Sequence, residues 1–524
     1  MVTALRPLLA LLLLIASSSW AMSLEEAQTA LSGRDFQAKG EAIAQLARSD
    51  DPSSAPLLAA LSRGDLFYVK KGGQLVVRTP EGYQDLAGQP LTLRSTQVKR
   101  VVINNNLRRQ LSQSLAERQL GDADSGVRLA AAKELLGKLD DSLTPLLQAQ
   151  LAKETDTEVK TALAGVLAYE QLKDSDPAAR LTAVETLSHW HHPQVLAALQ
   201  QVRDTDADKA VRLAAGKAAS SLEHTQSVYS GLETLFFGLS LGSVLVLAGI
   251  GLAITFGVMG VINMAHGELM MLGAYTTFVM QKLLPDAPGL ALLLSIPMAF
   301  LVAGAVGVVI ERCVIRFLYG RPLETLLATF GLSLLLQQAV RSIFSPLNQS
   351  VVMPSWMSGS LFINDFFSLT LNRLVIIAFS LLVFAGLMLL LKRSRLGLEV
   401  RAVAQNRAMA RNMGVRSARV NALTFGLGSG VAGIAGVALS QLTNVGPNLG
   451  QSYIIDAFMV VVFGGVGNLW GTLVAGLTLG VANKLLEPFA GAVLAKILIL
   501  VAIILFIQKR PRGLFPQRGR AVEG

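Results

Sequence analysis

Residues 234–256 form an apolar run with no charged side chain. Roughly 20 such residues, wound as a helix, are enough to cross the hydrocarbon core of a bilayer. Comparable runs recur to the end of the chain, and we count nine: 232–256, 262–284, 289–311, 322–344, 371–391, 417–443, 453–467, 471–487 and 489–508. Several are short or glycine-rich, so counts of eight or ten remain open. Lipid offers no partner to a backbone amide, so spanning segments of this kind must be helices. The expected fold is therefore all-α, a polytopic membrane protein of about nine transmembrane segments.

That character is confined to one part of the chain. Overall, 16% of residues are charged, against roughly 25% in a soluble protein. Residues 23–224, however, have ordinary soluble composition. The net charge of +10 would fit nucleic acid, but the basic residues cluster beside the apolar runs, as in cytoplasmic membrane loops. Nucleic acid is therefore not an expected partner; the lipid bilayer is. The single cysteine, Cys313, excludes an intramolecular disulfide and a cysteine metal cluster.

The start carries Arg6, an apolar stretch from Leu8 to Ile15, and Ser19-Trp20-Ala21. This is the tripartite pattern of a secretory signal peptide over 1–21, with an uncleaved anchor as the alternative. Either form exports residues 22–227. Within them the sequence repeats: VRLAAAKELL from Val127, VKTALAGVL from Val159, ARLTAVETL from Ala179 and VRLAAGKAAS from Val211. The copies are spaced by 32, 20 and 32 residues, and each follows an aspartate-rich turn. Aspartate caps helix N-termini, and the apolar spacing is helical, so stacked HEAT-like helix pairs are expected. A small β-hairpin insertion is expected at Leu66–Thr79 around Gly72-Gly73. His189, His191, His192 and His224 have no carboxylate or cysteine at ligand spacing, so they read as solvated helix ends, not metal ligands.

Loop charge orients residues 228–516, the membrane domain. The 392–419 loop holds eight basic residues against Glu399 alone, and the 517–524 tail follows Lys509, Arg510 and Arg512. The 345–373 loop is almost uncharged. The positive-inside rule places the basic loop and tail in the cytoplasm and, through nine crossings, the N-terminal domain outside. Ala422, Gly426 and Gly430, then Gly428, Ala432 and Gly436, then Thr472, Gly476 and Gly480 recur every four positions. Such stripes allow close helix approach in lipid.

Two segments interrupt the apolar runs. Near Gly257 and Gly260 come Asn263, His266 and Glu268; near Gly464, Gly465 and Gly467 comes Asn468. Polar groups and breaks at membrane depth mark pathways, and a matched pair is the best sequence pointer to one. Asp456 either lines that path or snorkels to water. The segment Arg395–Val415 reads as an amphipathic helix, either lying on anionic lipid or docking into a soluble partner. No GxxxxGK[ST] phosphate loop occurs, so the chain is not itself a P-loop ATPase. With no nucleophile–base set in view, it is not expected to be an enzyme and needs no cofactor of its own.

Four stretches, Gly257–Tyr275, Glu311–Gln338, Gly397–Val415 and Val460–Gly480, resemble the branched-chain amino-acid-type ABC permease family over about Leu232–Pro516. The resemblance implies an inner-membrane permease in a bacterium, working with a second related permease, two cytoplasmic ATPases that use ATP, and a periplasmic binding protein. It implies that the 397–415 loop, with Glu399, Arg401, Arg407, Arg411 and Gly414, couples to an ATPase. The signal peptide and helical extension are similar to the urea-transporting branch of that group, which makes urea the expected solute. Branched-chain or other amino acids are the alternative, and a self-contained channel or secondary transporter is a third reading. A neutral path for urea would be lined by amides, which both donate and accept: Asn263, Gln337, Gln338, Asn468 and Asn483, beside His266 and Glu268.

Overall fold

The computed structural model describes residues 24–515 except 34, 50, 52, 71, 80–81, 87, 92, 94–96 and 140–142. The expected signal peptide (1–21) and tail (517–524) lie outside the described residues. The chain divides into two units after Thr225.

The first unit opens with α1 (Leu24–Ser32), α2 (Phe36–Arg48) and α3 (Ser54–Arg63). An antiparallel sheet follows, of β1 (Leu66–Val69), β2 (Leu75–Thr79), β3 (Gly82–Gln84), β4 (Pro90–Leu91) and β5 (Val98–Arg100). The expected hairpin is β1–β2, closed by Gly72 and Gly73 at φ of 104° and 72°, a left-handed region that favours glycine. It is larger than expected: five strands pair in the order β4-β3-β2-β1-β5. Leu31, Ile43, Leu57, Leu66 and Leu75 are among the residues closing one core beneath the sheet with α4 (Asn105–Leu120).

Next come α5 (Ser125–Glu134), α6 (Thr144–Lys153), α7 (Thr157–Gln171), α8 (Pro177–Ser188) and α9 (Pro193–Thr205), then the first turns of α10 (Lys209–Met259). Their uneven sequence period has a structural cause. Arg128 forks onto the Glu154 carboxylate with two bonds of 2.9 Å, and Arg180 forks onto Asp206 at 2.8 and 3.0 Å. Arg128 also donates to the carbonyls of Asp122 and Ala123, and Arg180 to those of Asp174 and Ser175. From Arg128 to Arg180, and from Glu154 to Asp206, is 52 residues. The repeating object is a 52-residue double unit (32 plus 20) rather than a single helix pair. Asp124, Asp156 and Asp176 cap α5, α7 and α8 as expected.

The second unit contains the rest of α10, then α11 (His266–Leu283), α12 (Pro288–Cys313), α13 (Pro322–Phe344) and a hairpin of β6 (Ser360–Asn364) and β7 (Phe367–Thr370). It continues with α14 (Leu371–Arg393), α15 (Arg395–Gln405), α16 (Arg407–Asn412), α17 (Ser417–Ser440), α18 (Leu449–Gly464) and α19 (Leu469–Lys509). The molecule is mostly helical, with two small sheets where an all-α chain with one hairpin was expected. Among the described residues, six helices are long and apolar enough to cross a membrane, namely α10, α12, α13, α14, α17 and α19. The expected count was nine. Part of the difference is that α18 is short. Part is that α19 merges two helices across Gly491, whose φ of 75° and ψ of 161° are not helical. As one rod, its 41 residues would be about 60 Å long. Instead Asn468, which caps its start, donates to the Phe515 carbonyl just past its end, so the chain doubles back.

α17 is the hub, with nearly every residue from Val420 to Ser440 buried. Its two small-residue stripes serve different neighbours. Gly426 and Gly430 face Val308 and Phe300 of α12, whereas Gly428 faces Gly251 of α10 and Gly436 faces Met270 of α11. Gly476 and Gly480, in the third stripe, face Val246 and Gly242 of α10. Any Cβ at these positions would collide with a neighbouring helix, and backbone-to-backbone packing of this kind replaces the hydrophobic drive that lipid removes. Cys313 is exposed at the end of α12, not packed inside.

Candidate functional site

The first interruption leaves the helix at Gly260, whose φ is 68°, and the chain resumes as α11 at His266. Two contacts shape the break. The Asn263 carboxamide accepts from the Ala265 amide at 3.0 Å, and Thr329 of α13 accepts from the Met264 amide at 3.1 Å. Glu268 then sits in the first turn of α11, where the helix dipole favours a negative group. It is 1% exposed. Its Oε1 accepts from Ser333 Oγ at 3.0 Å and Gln337 Nε2 at 2.8 Å, both on α13. Its Oε2 has no hydrogen-bond partner, which is costly for a buried carboxylate and unusual in a native structure.

His266 and Glu268 are two residues apart and so point to nearly opposite sides of α11. The His266 ring meets α10, its Nε2 lying 3.0 Å from the Ala248 carbonyl. A carbonyl only accepts, so Nε2 carries the hydrogen. Nδ1 of His266 and Nδ2 of Asn263 are buried without a partner.

Of the residues the sequence nominated, then, the fold brings Gln337 and Glu268 together. It does not bring the others to them. Gln338 faces outward next door. Asn468 caps α19 through the Gly471 amide at 3.1 Å, and Asn483 is buried on α19. Ser333 was missed, because one serine in an apolar helix carries no signal of its own. One helical turn beyond Gln337, Arg341 donates to Asn448 at 2.6 Å, and Gln349 and Val445 exchange backbone bonds of 2.7 and 2.9 Å. These contacts tie the end of α13 to the loop that enters α18.

The two interruptions meet. A Cβ on Gly257 would strike Gly467, and both glycines line a cavity of about 500 Å³. Its far wall is α15, through Val400, Arg401 and Gln405. This cavity therefore lies between the breaks and the amphipathic loop.

In that loop α15 and α16 are separate short helices capped by Ser394 and Asn406. The charged residues turn out to be tethered locally. Glu399 pairs with Arg395 at 3.1 Å, and Arg401 donates to the Leu391 carbonyl at 2.8 Å. Arg411 donates to Ser417 at 2.7 Å, and the Arg407 guanidinium lies 4.5 Å from the centre of the Tyr319 ring. Gly414, at φ 85°, turns the chain into α17. Beside exposed arginines such as Arg401 and Arg411, the loop also presents apolar groups: Leu398, Met409 and Met413 are 62%, 59% and 78% exposed.

The second unit, with small-residue helix crossings, paired breaks and an exposed capped loop, has the architecture of a multi-pass transport permease. Residues 234–507 match the family described as "Branched-chain amino acid transport system / permease component", and this chain belongs to that family. Residues 166–236 match HEAT repeats. The chain is 33% identical over 300 residues to the high-affinity branched-chain amino acid transport system permease protein BraD of Pseudomonas aeruginosa, covering 55% of this chain and 96% of that one. It is 32% identical over 293 residues to LivH of Salmonella typhimurium (54% and 94%). A probable LivH of Methanocaldococcus jannaschii is 26% identical over 285 residues (52% and 88%). No solved structure gives a significant match. The chain is thus a permease component of an ABC importer of the branched-chain amino-acid type, a multi-pass membrane protein and not an enzyme. Permeases of this kind work with ATPase subunits and a binding protein. These three relatives are named for branched-chain amino acid transport.

Proposed function

We propose that this chain carries branched-chain amino acids across the bacterial inner membrane, with Glu268 as the polar contact in its path. The observation behind this reading is the unused Oε2 of a fully buried carboxylate, set beside a helix break and held by Ser333 and Gln337. A carboxylate is acceptor-only, and the ammonium of an amino acid supplies the donors it lacks. Asn263 and His266 belong to the same break, and their unpartnered nitrogens support a polar route there.

In this reading the protein crosses the membrane nine times, with its helical-repeat unit outside and its C-terminus inside. It pairs with a second permease, two ATPases and a periplasmic binding protein, and ATP is consumed by the ATPases. The ATPase docks on α15 and α16 through Leu398, Met409 and Met413, an exposed apolar strip of the kind a groove accepts. The arginines of the loop hold its shape.

Urea is a second reading. It is favoured by the N-terminal unit, for which the amino-acid relatives, already matched over 96% and 94% of their length, have no room. Urea's N–H groups also suit Glu268. Uptake of labelled leucine and labelled urea at micromolar concentration, in source cells with and without the gene, separates the two. Loss of leucine uptake alone supports the first reading, and loss of urea uptake alone supports the second. Unchanged uptake of both refutes both.

A further inference from the structure

Glu311 is the one acid of α12 and is 2% exposed. Its Oε1 accepts from the hydroxyl of Tyr319. The face of the Tyr319 ring is covered by Arg407 of α16, at 4.5 Å from the ring centre. Arg407 Nε is buried without a hydrogen-bond partner, so the guanidinium is held by the ring and not by a carboxylate.

We propose that Glu311, Tyr319 and Arg407 form a transmission joint that passes movement of the ATPase-docking helix α16 to the helices around Glu268. The argument is one of connectivity. Tyr319 lies in the short link between α12 and α13, and that link is fastened to α13 by Thr325, which donates to the Leu318 carbonyl at 3.1 Å. One turn on, Thr329 holds the break before α11. One and two turns further, Ser333 and Gln337 hold Glu268. A displacement of Arg407 therefore acts on a rigid helix that carries both partners of the buried carboxylate. Cation–aromatic stacking suits the task, since it keeps its attraction as the two groups slide. Glu311, Tyr319 and Arg407 are positioning residues and touch no solute. The proposal rests on the reading of α15 and α16 as the ATPase contact.

The test uses the whole complex, reconstituted with its ATPases, partner permease and binding protein in liposomes. The variants are Y319F, E311Q, R407Q and R407K, and the readouts are ATPase co-purification, ATP hydrolysis and labelled solute moved per ATP. The expected result is normal co-purification, hydrolysis within about twofold of wild type, and solute per ATP lower by at least tenfold in R407Q. R407K, which keeps a cation on the ring, recovers most of that loss, and the Y319F/E311Q double variant is no worse than either single one. Unchanged solute per ATP in both Y319F and R407Q overturns the joint. So does loss of the ATPase from R407Q, which makes Arg407 a docking residue. A wild-type complex that binds its ATPases but moves neither leucine nor urea overturns the substrate reading instead, whereas failure of the joint shows as unchanged solute per ATP in Y319F and R407Q of a complex that transports.

Discussion

Replacing Glu154 by glutamine probes the device that makes the N-terminal repeats cohere. The Glu154 side chain is 1% exposed and its partner Arg128 14%, so solvent screens the pair weakly. Two guanidinium bonds from Arg128, followed by the backbone amides of Asp156 and Thr155, hold its carboxyl at about 2 against an ordinary 4.5. That difference converts to about 3 kcal/mol favouring the folded state near neutral pH. The sign follows from the direction. A depressed carboxyl stabilises above its unfolded value of 4.5 and loses that contribution as the pH falls towards 2. Glu154→Gln keeps the shape and removes the charge, so α7 should open more readily. Hydrogen exchange on the full-length protein in detergent reads this directly. After correction for intrinsic exchange, protection of residues 154–160 should fall on the order of a hundredfold at pH 7, and the gap between variant and wild type should close by about pH 2. A gap below fivefold at pH 7, or one that persists at pH 2, would refute the reasoning.

Asp206, held low chiefly by Arg180, should respond in the same direction, so Asp206→Asn should weaken protection of the first turns of α10 and leave residues 154–160 unaffected. Glu268→Ala should reduce solute uptake by at least tenfold while Glu268→Gln, which still accepts from Ser333 and Gln337, retains more; equal uptake by Glu268→Ala and wild type would remove Glu268 from the path. Met409→Asp combined with Met413→Asp should release the ATPase during purification, whereas Arg411→Ala, which only loses its bond to Ser417, should keep it. Gly480→Val places a branched side chain against the backbone of Gly242 and should cost several kcal/mol, seen as loss of monodisperse protein in detergent; normal yield and melting would argue against close contact of α10 and α19.

Much of this molecule was written locally. Apolar run length is enough to commit a segment to a helix in lipid, and an aspartate before a helical run caps it whatever the neighbours do. The small-residue stripes on α17 were likewise visible, because four-residue spacing is a property of the helix itself. Which helix each stripe meets was not visible: Gly426 goes to α12 and Gly436 to α11, a choice made by the packing of the whole bundle. For the same reason the 32 and 20 residue intervals looked irregular until the Arg128–Glu154 and Arg180–Asp206 pairs gave the period of 52.

The sequence by itself determined the class of protein and the two glycine breaks, and it put Glu268 beside the first of them. Tertiary structure decided what those residues do. It set Gly257 against Gly467, separated His266 from Glu268 by the turn of α11, and recruited Ser333 from about 65 residues away. It also turned Arg407 inward onto Tyr319 and left Met409 and Met413 facing out. The physical reason is that helix periodicity specifies which residues share a face, and only the packing of one helix on another specifies what that face meets.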